Sequence, residues 1–176
     1  PHVMVALVAI LAATAGCNTL TCYIDRDIDA IMGRTSHRPI PAGRITPPER
    51  ALYWGLSLVA AGLVLGLSLN VISFVMLLLG VVDNVVVYSL LLKRSNPLNI
   101  ILGGFSGGLP AMFGWTAITG TISVLSILAA ALVVLWIPSH IWSLAIFSKD
   151  DYARAGIPML PVVMEEKAAL RCIVAT

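Results

Sequence analysis

Five long apolar stretches constrain this chain more than any other feature of its sequence. They run roughly over 3–24, 51–69, 71–92, 98–119 and 122–147. An α-helix needs about 20 mostly apolar residues to cross the hydrocarbon core of a bilayer. The pattern therefore predicts an all-α fold, a polytopic transmembrane helical bundle with about five complete spans.

Composition excludes a soluble protein with a large core. Apolar residues make up 59% of the chain and charged residues 11%, against about 45–50% and about 25% in soluble domains. So few polar residues cannot cover the outside of a soluble protein. The outside of this protein must therefore be covered by the lipid bilayer. The net charge is +2, and no basic stretch carries interleaved aromatic residues, which argues against nucleic acid as a partner.

The basic residues give an independent test of this topology. The joints near 69–71 and 119–121 are very short, so the spans that they connect form helical hairpins. Alternating spans place 25–50, 93–97 and 148–167 on one side, and none of the eleven Lys and Arg residues falls in a hairpin joint. The positive-inside rule makes the charged side cytoplasmic, or the matrix side in a mitochondrion. We expect an integral protein of a prokaryotic cell membrane or the mitochondrial inner membrane.

Both ends of the sequence lie in apolar segments. The chain runs from Pro1 directly into the first span, and 168–176 begins an apolar segment too short to cross a bilayer. We interpret 1–176 as a single transmembrane domain truncated at both ends. The fourth span is rich in glycine and contains Pro110, which predicts a break or kink beside a buried cavity.

An acidic cluster follows the first span. Asp25 and Asp29 are four residues apart and share a face of a continuing helix, while Asp27 points away. Two like charges one turn apart repel unless a cation lies between them, and Mg²⁺ commonly takes one or two carboxylates together with phosphate oxygens. We therefore predict that Asp25 and Asp29 bind Mg²⁺. The alternative is a solvated helix end paired with Arg26.

Basic residues lie close to this cluster along the chain or across the membrane face. Arg34 and Arg38 offer planar donors suited to phosphate, and Lys93 and Arg94 end the third span on the same side. The four residues are candidates for a catalytic diphosphate cradle. Snorkelling to the membrane surface is the alternative for Lys93 and Arg94.

A second acidic loop, with Asp150 and Asp151, follows the fifth span on the same side. Two facing acidic loops would hold two metal ions across one diphosphate, and an ordinary solvated loop is the alternative. His140 lies at membrane depth, where an ionisable group is a functional hypothesis by default. For the outlying Arg44 and Arg50 the positive-inside rule alone is the better explanation.

Together these motifs resemble the UbiA superfamily of intramembrane prenyltransferases and, within it, the protoheme IX farnesyltransferases. The resemblance covers nearly the whole chain. It is carried by 23–29, 32–35, 38–39, 92–94, 99–100, 103–104, 109–110 and 114–115, by Trp136, Pro138, His140 and Trp142, and by 151–162. The candidate substrate-binding residues within this match are Asn18, His140, Trp142, Asp151 and Tyr152.

The resemblance implies a reaction and its partners. Asp25 and Asp29 would bind Mg²⁺ and the diphosphate, and the four basic candidates would stabilise the leaving pyrophosphate. Farnesyl diphosphate would ionise to an allylic cation, a vinyl group of heme b would capture it, and water would complete the side chain of heme O. A downstream heme-modifying enzyme would then be a partner.

Two positions depart from the superfamily pattern. Thr21 stands where Asn usually begins the first motif, and Asn18, one turn earlier, is its candidate substitute. Ser148 and Tyr152 occupy the outer positions of the second motif, a form that the heme branch itself tends to carry.

Two other functions remain as alternatives. One is a UbiA-type enzyme that prenylates an aromatic ring or a lipid alcohol. The other is an ion or solute transporter that uses Asp83, His140 and the broken fourth span.

Overall fold

The computed structural model describes residues 2–175, apart from the side chain of Glu166, and within this range the chain is all-α. The helices are, in chain order, α1 (His2–Ile24), α2 (Arg26–Ile31), α3 (Glu49–Leu69), α4 (Val71–Val81) with a π-helical continuation (Val82–Leu92), α5 (Asn99–Gly103), α6 (Phe105–Thr119), α7 (Val124–Phe147), α8 (Lys149–Arg154), α9 (Leu160–Val163) and α10 (Glu166–Ala175).

Five helical units are long and apolar enough to cross a membrane, which confirms the predicted spans. They are α1, α3, α4 with its π-helical continuation, α5 with α6, and α7, and each has between 21 and 24 residues. At about 1.5 Å per residue, each exceeds the roughly 30 Å of a hydrocarbon core. No more than 39% of any span is buried inside the bundle. Most of each apolar span is therefore left for lipid to cover.

The first two spans, α1 and α3, pack against each other through glycine residues. A Cβ atom added at Gly16 would lie 2.7 Å from the Val59 side chain, and one at Gly62 would lie 2.7 Å from the backbone nitrogen of Ala13. A larger residue at either position would separate the helices. Small residues thus allow the backbones to approach closely, as is usual between membrane helices.

Both predicted hairpins are present. Asn70 is the single residue between α3 and α4, where its side chain accepts from the Ser73 amide at 2.8 Å and donates to the Thr116 carbonyl at 2.9 Å. The other joint begins at Gly120, whose positive φ of 67° ends α6, and Ser123 then caps α7. Each joint satisfies helix-end groups that a tight turn would otherwise leave unpaired.

The fourth span breaks at Gly104, between α5 and α6, whereas Pro110 lies inside α6. The break exposes the Ser106 amide, which donates to Asp83 Oδ2 at 2.7 Å. Asp83 at mid-span is thus a hydrogen-bond acceptor for the start of α6. This explains how a polar side chain is accommodated at that depth.

A half-open cavity of about 110 Å³ lies beside the broken span, where a buried cavity was predicted. It lies between α1, the third span and α6, and most of its lining is apolar. Its polar lining residues include Asn18, Asn84 and Ser106. Asn18 lies six residues before the end of α1, which places it about 9 Å below the charged loops.

Candidate active site

The acidic cluster lies at the junction of α1 and α2. Asp25 has φ −92° and ψ 8°, which interrupts the helix for one residue before α2 begins. Asp25 and Asp29 are buried, with 2% and 3% exposure, whereas the Asp27 side chain is 61% exposed. The two carboxylates four residues apart therefore share one face and the third points away, as the helical spacing predicted, and the structure shows that the shared face is the buried one.

Each buried carboxylate accepts a hydrogen bond from one cation of a different element or loop. Lys93 Nζ lies 2.5 Å from Asp25 Oδ2, and Arg38 Nη1 lies 2.7 Å from Asp29 Oδ2. Lys93 comes from the end of the third span, and Arg38 from the loop after α2. A buried charge is costly unless it is paired, so each carboxylate depends on its cation; we call these four side chains the buried charge cluster.

Arg94 fixes the outer carboxylate and the helix junction. Its guanidinium binds both oxygens of Asp27 at 2.7 Å and donates to the Ile24 carbonyl at 2.9 Å. Hydrogen bonding to Arg94 lowers the pKa of Asp27 to about 2. The bidentate contact ties the third span to the α1–α2 junction at the charged face.

One oxygen of the buried charge cluster lacks a hydrogen bond. Asp25 Oδ1 is buried and accepts no hydrogen bond from any described residue, and Arg94 Nη2 lies 4.0 Å from it. A buried carboxylate oxygen left without a partner is destabilising. Among the described residues, no three His, Cys, Asp or Glu side chains gather into a metal site. A metal here would take its remaining ligands from substrate and water.

The second acidic loop reaches the first. Asp151 Oδ2 accepts a hydrogen bond from the Arg34 amide at 3.2 Å, and Asp151 Oδ1 pairs with Arg154. The hydrogen bond from the Arg34 amide and, as the smaller cause, the hydrogen bond from Arg154 lower the pKa of Asp151. Asp150 is exposed, as is the rest of Arg34. The two loops therefore face each other, and Arg34 takes part in the contact through its backbone.

Tyr88 is a residue of this region that sequence reasoning missed. In the π-helical continuation the Lys93 amide donates to the Tyr88 carbonyl five residues earlier at 2.8 Å, and Lys93 Nζ lies 5.8 Å from the centre of the Tyr88 ring. Asn99 supports Lys93 by donating to its carbonyl at 3.3 Å. Sequence reasoning could have connected Tyr88 with Lys93 only through a spacing of five residues, which is the hydrogen-bond spacing of a π-helix and not of an α-helix.

The candidates near the end of α7 fall on opposite faces of that helix. Trp142 is 2% exposed and packs into the apolar cluster with Ile28, against which Tyr152 also packs. His140 is exposed and stacks on Trp136, with 4.4 Å between ring centres. Two residues apart on a helix point in nearly opposite directions. The structure thus brings Trp142 and Tyr152 beneath α2 and leaves His140 on the outer face.

Fold and site together define a class of protein. This is a polytopic membrane protein with paired carboxylates and cations gathered at one face of the bundle, above an apolar cavity. The chain belongs to the UbiA prenyltransferase family, whose model matches residues 1–176.

Individual relatives agree with this assignment. The protoheme IX farnesyltransferase of Desulforudis audaxviator is 58% identical over 171 residues, which cover 97% of this chain and 54% of that protein. The chain spans about half the length of the curated relatives it matches.

Solved structures share the fold. The apo structure of a UbiA homolog from Aeropyrum pernix K1 matches with a TM-score of 0.82 at 22% identity. The match covers 98% of this chain and 64% of the chain of that homolog. The structure of a UbiA homolog from Archaeoglobus fulgidus bound to DMAPP and Mg²⁺ has a TM-score of 0.76 at 19% identity and covers 99% and 62%.

Proposed function

We propose that this chain forms the diphosphate-binding part of a protoheme IX farnesyltransferase. The observation that carries the proposal is the buried charge cluster, in which two inward carboxylates meet a cation of the following loop and a cation from the end of the third span at the charged face. The name of the Desulforudis relative supports heme b as acceptor and farnesyl diphosphate as donor. The charged face would be cytoplasmic or on the matrix side, and an enzyme that modifies heme O further would receive the product.

The basic residues would stabilise the leaving group. Lys93 and Arg38 lie beside the buried carboxylates, and Arg94 lies beside them at the surface. Cations held in place act most strongly on charge that develops during reaction. As the bond between C1 of the farnesyl group and the diphosphate oxygen breaks, these groups would hold the released pyrophosphate. The allylic cation would then add to the heme vinyl group, and water would supply the hydroxyl group with loss of one proton.

The carboxylates fit a Mg²⁺ ion. Asp25 Oδ1 is buried and accepts no hydrogen bond from the described residues, and carboxylate oxygens are the ligands that Mg²⁺ prefers. Asp25 and Asp29 would hold the ion, which would supply positive charge to the diphosphate. Asp150 and Asp151 remain candidates for a second ion, since their loop contacts the loop after α2.

The remaining candidates would bind the organic parts of the substrates. The cavity lined by Asn18 has an apolar lining suited to an isoprenoid chain. Trp142 and Tyr152 belong to a separate apolar cluster beneath α2, where they stay candidates for substrate binding, and His140 stays a substrate-binding prediction as well. The transporter alternative is weakened because Asp83 is engaged by the Ser106 amide and His140 lies on the outer face.

The test supplies the full-length protein with heme b and farnesyl diphosphate, with and without Mg²⁺, and follows heme mass and pyrophosphate. We expect a Mg²⁺-dependent gain of one farnesyl group and one hydroxyl group, lost in Asp25→Asn and Asp29→Asn and retained in Glu49→Gln, an exposed acid on α3. Pyrophosphate release with unchanged heme would move the acceptor to an aromatic ring or lipid. Full turnover in both Asp variants would refute the assigned site.

A further inference from the structure

A second basic site lies at the charged face, in a groove between α1 and the start of α3. The groove has a volume of about 520 Å³, within the range of small-molecule sites. It is lined by Thr19, Arg44, Ile45, Thr46, Arg50, Ala51, Trp54 and Leu58. These residues belong to none of the motifs that form the candidate active site.

The two arginines of the groove differ from the cations of the active site. Arg38, Lys93 and Arg94 each pair with a carboxylate, but neither Arg44 nor Arg50 forms an ion pair with a carboxylate of the described residues. Arg44 donates one hydrogen bond to the His37 carbonyl at 2.6 Å, which leaves most of its five N–H groups available. The positive-inside rule explains why arginines occur at this face. It does not explain why two converge on one groove.

The groove changes from polar to apolar with depth. Arg50, Trp54 and Leu58 follow one another at four-residue intervals on α3, so each lies about 6 Å deeper than the one before. Trp54 is 67% exposed, at the depth where aromatic side chains anchor membrane proteins. The series of cation, aromatic ring and aliphatic side chain runs in the same order as the phosphate, glycerol and acyl chain of a phospholipid.

We propose that this groove binds an anionic phospholipid. Its phosphate would lie between Arg44 and Arg50, with the Thr46 hydroxyl as a further hydrogen-bonding group, and an acyl chain would follow Trp54 and Leu58 into the bilayer. Basic pockets at the charged side of membrane proteins bind anionic head groups in this way. A free anion would use the arginines alone and would leave the ring and the aliphatic surface uncovered.

Brominated lipids quench the fluorescence of a tryptophan that they touch, so Trp54 serves as the reporter. The full-length protein is placed in phosphatidylcholine nanodiscs that contain either brominated phosphatidylglycerol or brominated phosphatidylcholine. At about 1 kcal/mol for each cation near an anionic surface, two arginines correspond to a preference of about 30-fold. We expect brominated phosphatidylglycerol to reach equal quenching at about one thirtieth of the mole fraction.

The variants separate the groove from general surface charge. Arg44→Gln with Arg50→Gln is expected to abolish the preference, and Trp54→Phe to abolish the preferential quenching itself. Lys167→Gln with Arg171→Gln removes the same number of charges from exposed positions on α10 and is expected to retain both. Equal quenching by the two lipids, or a preference that persists without Arg44 and Arg50, would overturn the proposal.

A final arm distinguishes a lipid from a free anion. Phosphatidylglycerol is expected to raise the melting temperature of the wild type but not of the double arginine variant, since a ligand stabilises the state that binds it. Inorganic phosphate in phosphatidylcholine nanodiscs is expected to have no such effect. An equal, arginine-dependent rise with inorganic phosphate would assign the groove to a free anion and refute lipid binding.

Discussion

Replacing Lys93 by methionine tests whether the buried charge cluster is interdependent. Lys93 is the hydrogen-bonding cation of Asp25, which is 2% exposed, and the Lys93 side chain itself is only 16% exposed. Methionine keeps most of the length of lysine and removes its charge. Lys93→Met therefore leaves the Asp25 carboxylate buried without its partner.

The size of the effect follows from the burial of the pair. Removing one partner of a buried ion pair costs about 3–5 kcal/mol, whereas replacing both partners by neutral groups is often nearly neutral. Because Lys93 retains some contact with solvent, we expect Lys93→Met to cost about 3 kcal/mol. Asp25→Asn is expected to cost about 1 kcal/mol, since a lysine at a helix end can extend to the surface. The double variant is expected to lie within about 1 kcal/mol of the wild type.

The measurement is the free energy of unfolding of the full-length protein in mixed micelles, for the four members of this double-mutant cycle. We expect a coupling free energy of at least about 3 kcal/mol, at the upper end of the values for residues in contact. Arg94→Gln serves as the control, because its partner Asp27 is 61% exposed and exposed pairs contribute at most about 1 kcal/mol.

Two results would refute the reasoning. A cost below about 1 kcal/mol for Lys93→Met would mean that Asp25 is not held by Lys93, and a coupling near zero would mean that the two residues act separately. The double variant also separates stability from chemistry. If it is stable but releases no pyrophosphate, the charges are needed for the reaction itself.

Two further predictions concern helix packing and pH. Gly62→Ala is expected to destabilise the bundle by about 1–3 kcal/mol, because its Cβ would lie 2.7 Å from the Ala13 nitrogen. Gly114→Ala is the control, since nothing lies within 4 Å of the added atom there. Equal effects of the two substitutions on the free energy of unfolding would contradict the close packing of α1 and α3. The pKa of Asp27 is lowered from 3.8 to about 2, so its contact with Arg94 stabilises the folded state above pH 4 and is lost as pH falls toward 2. Asp27→Asn should flatten the pH dependence in that window by less than about 1 kcal/mol, and an unchanged profile in unfolding experiments would show that the contact contributes nothing.

The features predicted correctly are those set by local sequence and by the bilayer. Five spans follow from the length of the apolar stretches, and the two hairpins from joints of a few residues. The shared face of Asp25 and Asp29 follows from a four-residue spacing, whereas its burial comes from the packing of the spans. The break in the fourth span was predicted from its glycines, although the structure places it at Gly104 and leaves Pro110 inside a helix.

The features that were not predicted depend on how distant segments pack. Asp25 and Lys93 are 68 residues apart in sequence, and their pairing requires the third span to end beside the α1–α2 junction. Tyr88 was missed because the third span changes from α to π geometry at Val82, which no pattern based on 3.6 residues per turn indicates. Its contact with Lys93 follows from that change.

The depth of the charges shows why this bundle suits chemistry at a membrane surface. An ionised group at mid-span is costly, and Asp83 at that depth is satisfied by the freed amide of a broken helix. The buried charge cluster lies instead where the spans end, within reach of both water and the apolar cavity. A diphosphate requires the first environment and an isoprenoid chain the second. This placement of the charges supports the proposed prenyl diphosphate substrate better than it supports a solute that crosses the bilayer.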